Sequence, residues 1–368
     1  MRFIIILLVF LTIIFGANFY VFYRFWHLIP TNQTIRIIII SVSIFLFISP
    51  FLSLGIADKF PTPIASFFYN IGTSWLIIML YLVMIFFLFD IVRILGFLPV
   101  KQFMFNSLKG LGFLSIFMMI LMTFGHFNYF NKKRVELTIN TEKIGEPHVP
   151  LKIVAISDLH LGYGIGTKQF KKWVKLINAE QPDILLIAGD AIDNSLKPLY
   201  KNNYKEIFDE INTKYGIYIT PGNHEYISNI HKSIDFFNKA GVTMLRDSVI
   251  LIDNNYYIVG RDDRYNSKRK SISELTAEID KSKPVILIDH QPFQLDEVAQ
   301  NNIDLFFAGH THDGQVFPIS LITKLMFEIS HGYLKKGNTH FYVSSGIGVW
   351  GGKFRIGTRS EYVVINFD

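Results

Sequence analysis

The pattern of hydrophobic positions divides the chain into two halves. The first half contains four long, nearly uninterrupted apolar runs: Phe3 to Phe22, Ile35 to Leu54, Ser74 to Phe89 and Leu111 to Phe130. A bilayer core of ~30 Å is crossed by a helix of about 20 apolar residues, and each run is close to that length. The pattern therefore predicts a four-helix transmembrane region over residues 1–134, in a multi-pass protein of the cell membrane.

The first apolar run has an alternative interpretation as a signal peptide. Its length, the aromatic residues that follow it and the three further runs favour a retained anchor. Basic residues are divided evenly between the two sides of the predicted spans, so the positive-inside rule does not decide which side the second half faces.

The second half alternates short apolar segments with amphipathic ones. A polar segment containing Gly145, Pro147 and Pro150 comes first, and we interpret 135–150 as a linker. The pattern predicts strands at 152–157, 183–188, 216–220, 256–260, 285–289, 304–308, 340–344 and 361–367. It predicts helices at 168–179, 202–213, 229–240, 271–281 and 294–301. This alternation indicates an α/β domain over 151–368, a two-sheet β-sandwich flanked by helices.

Polar side chains follow five of the predicted strands, at the point where each strand ends. The carboxyl ends of strands in an α/β sheet meet at one edge, so these side chains can converge there. Three of the clusters begin with a glycine (Gly189, Gly222 and Gly309) that lets the backbone turn sharply out of the sheet. The strand-end residues that are candidate metal ligands are Asp158, His160, Asp190, Asn223, His290, His310 and His312.

These seven candidate ligands combine nitrogen and oxygen donors without sulfur, since the chain contains no cysteine. Such a set suits Mn, Fe or Zn better than Ca²⁺ or Mg²⁺, which prefer oxygen alone. Seven ligands are too many for one catalytic ion, whereas two ions at ~3.5–4 Å that share a carboxylate account for them. Any one of the histidines taken alone is more simply an ordinary polar residue. Their recurrence at strand ends favours a metal site.

The order of the motifs resembles one known family. D-x-H, G-D-x-x-D, G-N-H-E, an isolated His and G-H-x-H follow each other as in the calcineurin-like metallophosphoesterase superfamily, over about residues 150 to 368. GHTHDGQVFP and GIGVWGGKFRIG are similar to its bacterial branch, which includes membrane-anchored members. The apolar half is similar to that of transmembrane proteins with a metallophosphoesterase domain.

The resemblance implies a role for each candidate residue. The first metal would take Asp158, His160 and His312, the second Asn223, His290 and His310, and Asp190 would bridge them. His224 matches the family's proton donor, and the two cations would hold a hydroxide as nucleophile. Asp193 and Glu225 are expected to order the ligands or their loops. Arg355 is expected either to steer an anionic substrate or to be a solvated strand residue.

The expected function is a membrane-anchored hydrolase with two divalent metal ions. Its substrate would be a phosphomonoester or phosphodiester, with a phospholipid or lipid-linked phosphate among the candidates. The alternative is a membrane receptor that keeps the metals and binds a phosphorylated ligand without turnover. The net charge of +6 and pI near 9.1 are compatible with nucleic-acid binding. No basic and aromatic cluster is dense enough to predict it.

Overall fold

A computed structural model describes residues 2–96, 100–141, 143 and 150–367, with side chains described for all of these except 2–7, 10, 100 and 101. The chain forms two compact units, Met1–Gly125 and His126–Asp368. The first unit is helical, and the second contains all the described strands.

The helices of the first unit follow the apolar runs of the sequence. They are α1 (Arg2–Leu28), α2 (Gln33–Gly55), α3 (Thr62–Ile94), α4 (Val100–Met104) and α5 (Leu108–Phe130), whose last turn belongs to the second unit. Among the described residues, α2, α3 and α5 are long and apolar enough to cross a membrane. The prediction of four membrane-crossing helices is therefore corrected to three. The first predicted span falls on α1, where part of the run lies outside the residues whose side chains are described.

Close approach of backbones holds α2 against α3. A Cβ atom on Gly72 would lie 2.7 Å from the backbone nitrogen of Pro50, so only glycine permits this contact. Small residues at such crossings let apolar helices pack where water supplies no driving force. An ion pair between buried Arg24 and half-buried Asp90, at 2.8 Å, joins α1 to α3.

The second unit alternates strands and short helices. Its strands are β1 (Lys133–Ile139), β2 (Leu151–Ile156), β3 (Ile184–Ala188), β4 (Ile217–Thr220), β5 (Val242–Met244), β6 (Ser248–Ile252), β7 (Tyr256–Gly260), β8 (Val285–Ile288), β9 (Leu305–Ala308), β10 (Gly332–Lys336), β11 (Thr339–Val343) and β12 (Glu361–Phe367). Its helices are α6 (Thr167–Ala179), α7 (Lys197–Lys201), α8 (Tyr204–Phe208), α9 (Asn223–Ile227), α10 (Ile230–Lys239), α11 (Ile272–Thr276), α12 (Leu295–Gln300) and α13 (Ile319–Met326).

The strands form two mixed sheets of six. The first has the order β1-β12-β2-β3-β4-β5, and the second β10-β11-β9-β8-β7-β6. Strands β2 to β5 are parallel, as are β7, β8, β9 and β11, whereas β12 runs antiparallel to β2. Each parallel set has its carboxyl ends on one side, and the candidate ligands follow those ends.

Three apolar clusters fill the spaces between these layers. One lies between the two sheets and includes Ile153, Leu186, Ile286 and Phe307. A second packs α6, α8 and α10 on the first sheet, and a third packs α11 and α12 on the second. Burial on both faces explains why the parallel strands are continuous apolar runs rather than alternating ones. The α/β sandwich flanked by helices is the architecture expected from the sequence.

The structure contains strands that the sequence pattern did not predict. All eight predicted strands are present, and β1, β5, β6 and β10 are additional. Strand β1 pairs with β12 in parallel, so residues 135–139, interpreted above as linker, belong to the first sheet. For residues 135–139 the linker interpretation was wrong, because β1 is an edge strand whose alternating polar residues face solvent. Residues 142 and 144–149 of the predicted linker lie outside the described part of the chain. The predicted helix 202–213 is also shorter, as α8 ends at Phe208.

Candidate metal centre

The predicted ligands follow the carboxyl ends of five parallel strands, three in the first sheet and two in the second. Asp158 and His160 come after β2, Asp190 after β3, and Asn223 begins α9 after β4. His290 comes after β8, and His310 and His312 come after β9. The two sheets therefore contribute to one group of side chains, since the parallel sets of both sheets end beside each other.

One side of the group is formed by Asp158, His160 and His312. The Nε2 atoms of the two histidines are 3.1 Å apart, and His312 Nε2 lies 3.5 Å from Asp158 Oδ1. Each of the three residues offers one ligand atom, and these atoms all lie within 4.8 Å of one another. A single ion can be held at this spacing.

The other side is formed by Asp190, His290 and His310. His290 Nε2 lies 3.1 Å from Asp190 Oδ2 and 3.2 Å from His310 Nδ1. The carboxylate of Asp190 also reaches towards the first group, with Oδ2 at 4.0 Å from His160 Nε2. Asp190 therefore stands between the two groups, where a shared carboxylate would have to be.

The donor atoms fit divalent cations. His290 donates from Nδ1 to the Ala188 carbonyl at 2.8 Å, which directs its Nε2 atom into the site. Such an outer hydrogen bond fixes the tautomer of a metal-bound histidine. Within the described part of the chain, the buried Oδ1 of Asn223 has no hydrogen-bond partner. Buried acceptors this close together are costly unless a cation or a proton joins them.

The electrostatics of the site keep some ligands ready for a metal. Burial, reinforced by His290, lowers the pKa of His310 to about 3. Burial and His160 likewise lower the pKa of His312. Burial opposes the ionised form of Asp190, but neighbouring His290 outweighs it and holds the pKa of Asp190 well below its usual range. Neutral imidazole and ionised carboxylate are the forms that bind divalent metals.

His224 lies beside both groups of ligands. Its backbone N–H donates to Asp190 Oδ1 at 2.9 Å, and its Nδ1 lies 2.7 Å from the Asp193 carbonyl oxygen. The rings of His224 and His160 meet edge to face, with centroids 4.7 Å apart. Burial disfavours the charged ring, but Asp190 and Asp193 outweigh burial and raise the pKa of His224.

Glu225 and Asp193 hold the loops that carry the ligands. Glu225 is fully buried and accepts three backbone N–H groups, those of Asp190 at 2.9 Å, Gly222 at 2.7 Å and Ile192 at 2.9 Å. It therefore links the loop after β3 to the loop after β4. Asp193 Oδ1 lies 3.5 Å from His160 Nδ1.

The backbone at the ligands is strained. Asp158, His160, Asp190, His310 and His312 all have positive φ, between 47° and 72°. Non-glycine residues rarely adopt this conformation, which persists where the surrounding structure enforces it and is concentrated at functional sites. Gly189 also has a positive φ, of 72°, and a Cβ there would lie 2.6 Å from His290 Nδ1. The glycine before Asp190 is thus required by its close approach to His290.

Residues 151–314 match the model of a protein family described as calcineurin-like phosphoesterase. An uncharacterized metallophosphoesterase of Aquifex aeolicus is 31% identical over 254 residues, which cover 67% of this chain and 95% of that protein. The chain belongs to the calcineurin-like metallophosphoesterase family. This confirms the resemblance found in the motifs.

Other relatives of this metallophosphoesterase chain are longer than the matched part. An uncharacterized metallophosphoesterase of Helicobacter pylori is 34% identical over 218 residues, covering 57% of this chain and 58% of that protein. A transmembrane protein with metallophosphoesterase domain from Danio rerio is 29% identical over 245 residues, which cover 62% of this chain and 56% of that protein. The chain thus spans little more than half the length of these two relatives. The family uses two divalent metals, and the Asp and His groups above could bind them.

Arg355 of the metallophosphoesterase domain is fully buried, so it is not the solvated strand residue that was one expectation. Its Nη1 donates to the His312 carbonyl at 2.5 Å, and its Nη2 donates to the carbonyls of Ser345 and, at 3.1 Å, Gly348. Its Nε donates to Ser360 Oγ at 3.1 Å. Because these donors face protein oxygens, the contacts favour a role in positioning the His312 loop over substrate steering.

A polar cluster beside His290 was missed in the sequence. Asp289 is buried and lies 3.2 Å from Arg269 and 3.6 Å from Arg261. Asp263 accepts a hydrogen bond from Gln291 at 2.7 Å. The signal was present in the sequence, since Arg261, Asp262 and Asp263 come directly after β7, as the ligands do after their strands. These groups hold the segment that carries His290.

Proposed function

We propose that this chain hydrolyses a phosphomonoester or phosphodiester at the centre between the two sheets. The observation that carries the proposal is the position of His224 beside Asp190, which lies between the two candidate ligand groups. Asp158, His160 and His312 would hold one divalent cation, and Asn223, His290 and His310 the other. Mn, Fe and Zn suit these donors. When bound, the two cations supply Lewis-acid activation of the phosphoryl group and acidify water.

His224 would protonate the leaving group. Its Nδ1 is occupied by the Asp193 carbonyl, so Nε2 is the atom that can hold and release a proton to substrate. The raised pKa of His224, set by Asp190 and Asp193 against burial, favours the protonated ring near neutral pH. Glu225 would keep this geometry by holding the loops after β3 and β4 together.

The proposed location is the cell membrane, with several spans in the first 134 residues. Three apolar helices and the relatives named as transmembrane proteins support a membrane protein. A site anchored in this way would meet phospholipids or lipid-linked phosphates as well as soluble esters. The lipid substrate is therefore part of the proposal.

The test is a comparison of leaving groups in the His224→Ala variant. On an alkyl phosphoester, whose alkoxide must be protonated, turnover should fall by about 10²–10⁴-fold. On a nitrophenyl ester, whose leaving group needs little protonation, the loss should be distinctly smaller. Both metals should remain bound, because Asn223 and not His224 is the proposed ligand of that loop.

The matched control is His231→Ala, because His231 is an exposed histidine on α10. It should hydrolyse both esters at the wild-type rate. Equal losses on both esters in His224→Ala, with metal retained, would contradict proton transfer. A wild-type protein that binds metal and a phosphorylated ligand but hydrolyses no ester would be a receptor, and the proposal would be wrong.

A further inference from the structure

Helix α13 exposes an unusual amount of apolar surface for its length. Leu321, Ile322, Leu325 and Met326 have exposed fractions of 50%, 49%, 88% and 66%. Their spacing of one, four and five residues places them along one side of a helix, which we call the apolar face of α13. A contiguous exposed patch of this kind marks an interaction surface rather than an ordinary protein surface.

Helix α13 is attached to the metal centre at both of its ends. It follows the short turn His312–Gly314, and Gly314 approaches the start of α13 so closely that a Cβ would meet the backbone of Ser320. At its other end Phe327 packs on Phe293, and its ring centroid lies 6.3 Å from that of His310. A surface that binds the apolar face of α13 is thereby brought next to two proposed ligands.

The residues just before α13 are also linked to the end of α5, the last apolar helix, through the 353–358 segment. Val316 pairs with Ile356 in an isolated bridge. The 353–358 segment, which contains Ile356, is also hydrogen-bonded to α5. Asn128 Nδ2 donates to the carbonyls of Arg355 at 2.9 Å and Thr358 at 2.8 Å. Phe127, in the same turn of α5, is 70% exposed. Exposed apolar side chains thus occur in or next to both regions bonded to the 353–358 segment, the end of α5 and the start of α13.

We propose that the apolar face of α13 inserts into the lipid surface, so that the phosphoester taken at the metal centre belongs to an amphiphile held in the membrane. This inference rests on the proposed function for its substrate and on the surface of α13 for its docking. Interfacial helices bury their apolar side about 5–10 Å into the boundary of headgroups and acyl chains. Lys324, the one charged residue of α13, is exposed and can reach anionic headgroups.

A lipid surface accounts for this face better than a second copy of the chain does. The same unit carries the end of α5, a helix long and apolar enough to cross a membrane, so a bilayer surface lies near His126–Phe130 in any membrane-inserted state. The bonds from Asn128 to the 353–358 segment then connect that surface to α13. A second copy is the alternative occupant, and the experiment distinguishes it.

The docking can be measured with a single label, because the chain has no cysteine. The full chain carrying Leu325→Cys is labelled with an environment-sensitive fluorophore and reconstituted in vesicles of phosphatidylcholine and phosphatidic acid. We expect the emission of the label to shift to shorter wavelength and to be quenched by brominated lipid. The control is Leu251→Cys on β6, an exposed leucine on the edge of the second sheet, whose label should be quenched by aqueous iodide instead.

The consequence for the substrate is tested with two esters that share one chromogenic group. One nitrophenyl phosphoester carries a hexadecyl chain and resides in the vesicle, and the other carries an ethyl group and is soluble. In the double variant Leu321→Glu and Leu325→Glu, the added charge opposes insertion into the bilayer. The rate on the hexadecyl ester divided by the rate on the ethyl ester should therefore fall about tenfold or more. Leu251→Glu should leave this ratio at the wild-type value.

The outcomes separate the two proposals. A label on the Leu325→Cys variant that stays as accessible to iodide as the label on Leu251→Cys would overturn the docking. Disulfide formation between chains of the unlabelled Leu325→Cys variant would assign the face to a second copy and also overturn it. An unchanged rate ratio in the double variant would overturn the membrane-held substrate. If the wild type hydrolyses neither ester, the proposed function fails, and lipid quenching of the label still decides the docking.

Discussion

Replacing Arg355 by methionine should destabilise the fold and loosen one side of the metal centre. The buried guanidinium of Arg355 donates to the carbonyls of His312, Ser345 and Gly348 and to Ser360 Oγ. Burial lowers its pKa only to about 10, so it is charged throughout the range in which the protein would be assayed. Methionine fills much of the same space but donates no hydrogen bond.

The magnitude follows from the groups left without donors. Two buried carbonyls, those of Ser345 and Gly348, lose this donor, whereas the His312 carbonyl keeps the backbone N–H of Gln315 at 2.9 Å. Each unsatisfied group costs about 1–3 kcal/mol, so at the lower end of that range the variant loses about 2 kcal/mol. In a domain of this size each kcal/mol lowers the midpoint of thermal unfolding by about 2–4 °C, so we expect a decrease of about 4–8 °C. The unfolding midpoint of Arg355→Lys should lie between those of the wild type and Arg355→Met, because one ammonium replaces a fork of five donors.

The assay measures unfolding and metal content of the detergent-solubilised full chain. Because the lost contact is to the His312 loop, metal affinity should fall by about 10–100-fold on the side of Asp158, His160 and His312, and less on the other. The matched control is Arg359→Met, an exposed arginine of the same loop, which should change neither quantity. If Arg355→Met unfolded at the same temperature as Arg359→Met and retained both ions, the positioning role would be refuted.

Two further predictions follow from the edge strand and from a buried pair. A fragment of residues 126–368, the second compact unit, should be soluble and stable, whereas 150–368 should aggregate, since it lacks β1 with the buried Tyr129 and Ile139 and uncovers β12; equal solubility would contradict this. Burial lowers the pKa of His331, but its hydrogen bond to Glu361 outweighs burial and raises the pKa. The stabilisation of the fold by the His331–Glu361 pair is thus present below the ordinary histidine pKa of ~6.5 and is lost as pH rises through the raised pKa. His331→Gln should therefore lower the unfolding midpoint by about 2–4 °C at about pH 6 and by less at about pH 9, and an equal decrease at both would be contrary evidence.

The buried strands and the candidate metal ligands could be located from sequence because one signal marks both. A strand covered on two faces is a short apolar run, and the polar residue at its end is conspicuous. Asp158, Asp190 and His290 all follow runs of this kind, and the structure places Asp190 and His290 in one candidate metal-binding group and Asp158 in the other. The same rule would have drawn attention to Asp263 after β7 had it been applied there.

The rest could not be predicted, for reasons that differ between elements. Strand β1 alternates polar and apolar residues and lies at an edge, so it resembles a polar linker. The environment of Arg355 depends on residues 43 positions apart in the chain, and no local pattern reports it. The residues of α13 are apolar enough for a core, so their exposure became visible only in the structure.

The most direct test of the central proposal is the metal content of the purified chain. Elemental analysis should find two divalent ions per chain in the protein that hydrolyses phosphoesters, and none or nearly none in Asp190→Ala, because the shared carboxylate serves both ions. His160→Ala should lose the ion on its own side more readily than the other. A wild-type chain that holds one ion and gains no second on reconstitution, or an Asp190→Ala variant that keeps both, would contradict the two-metal centre.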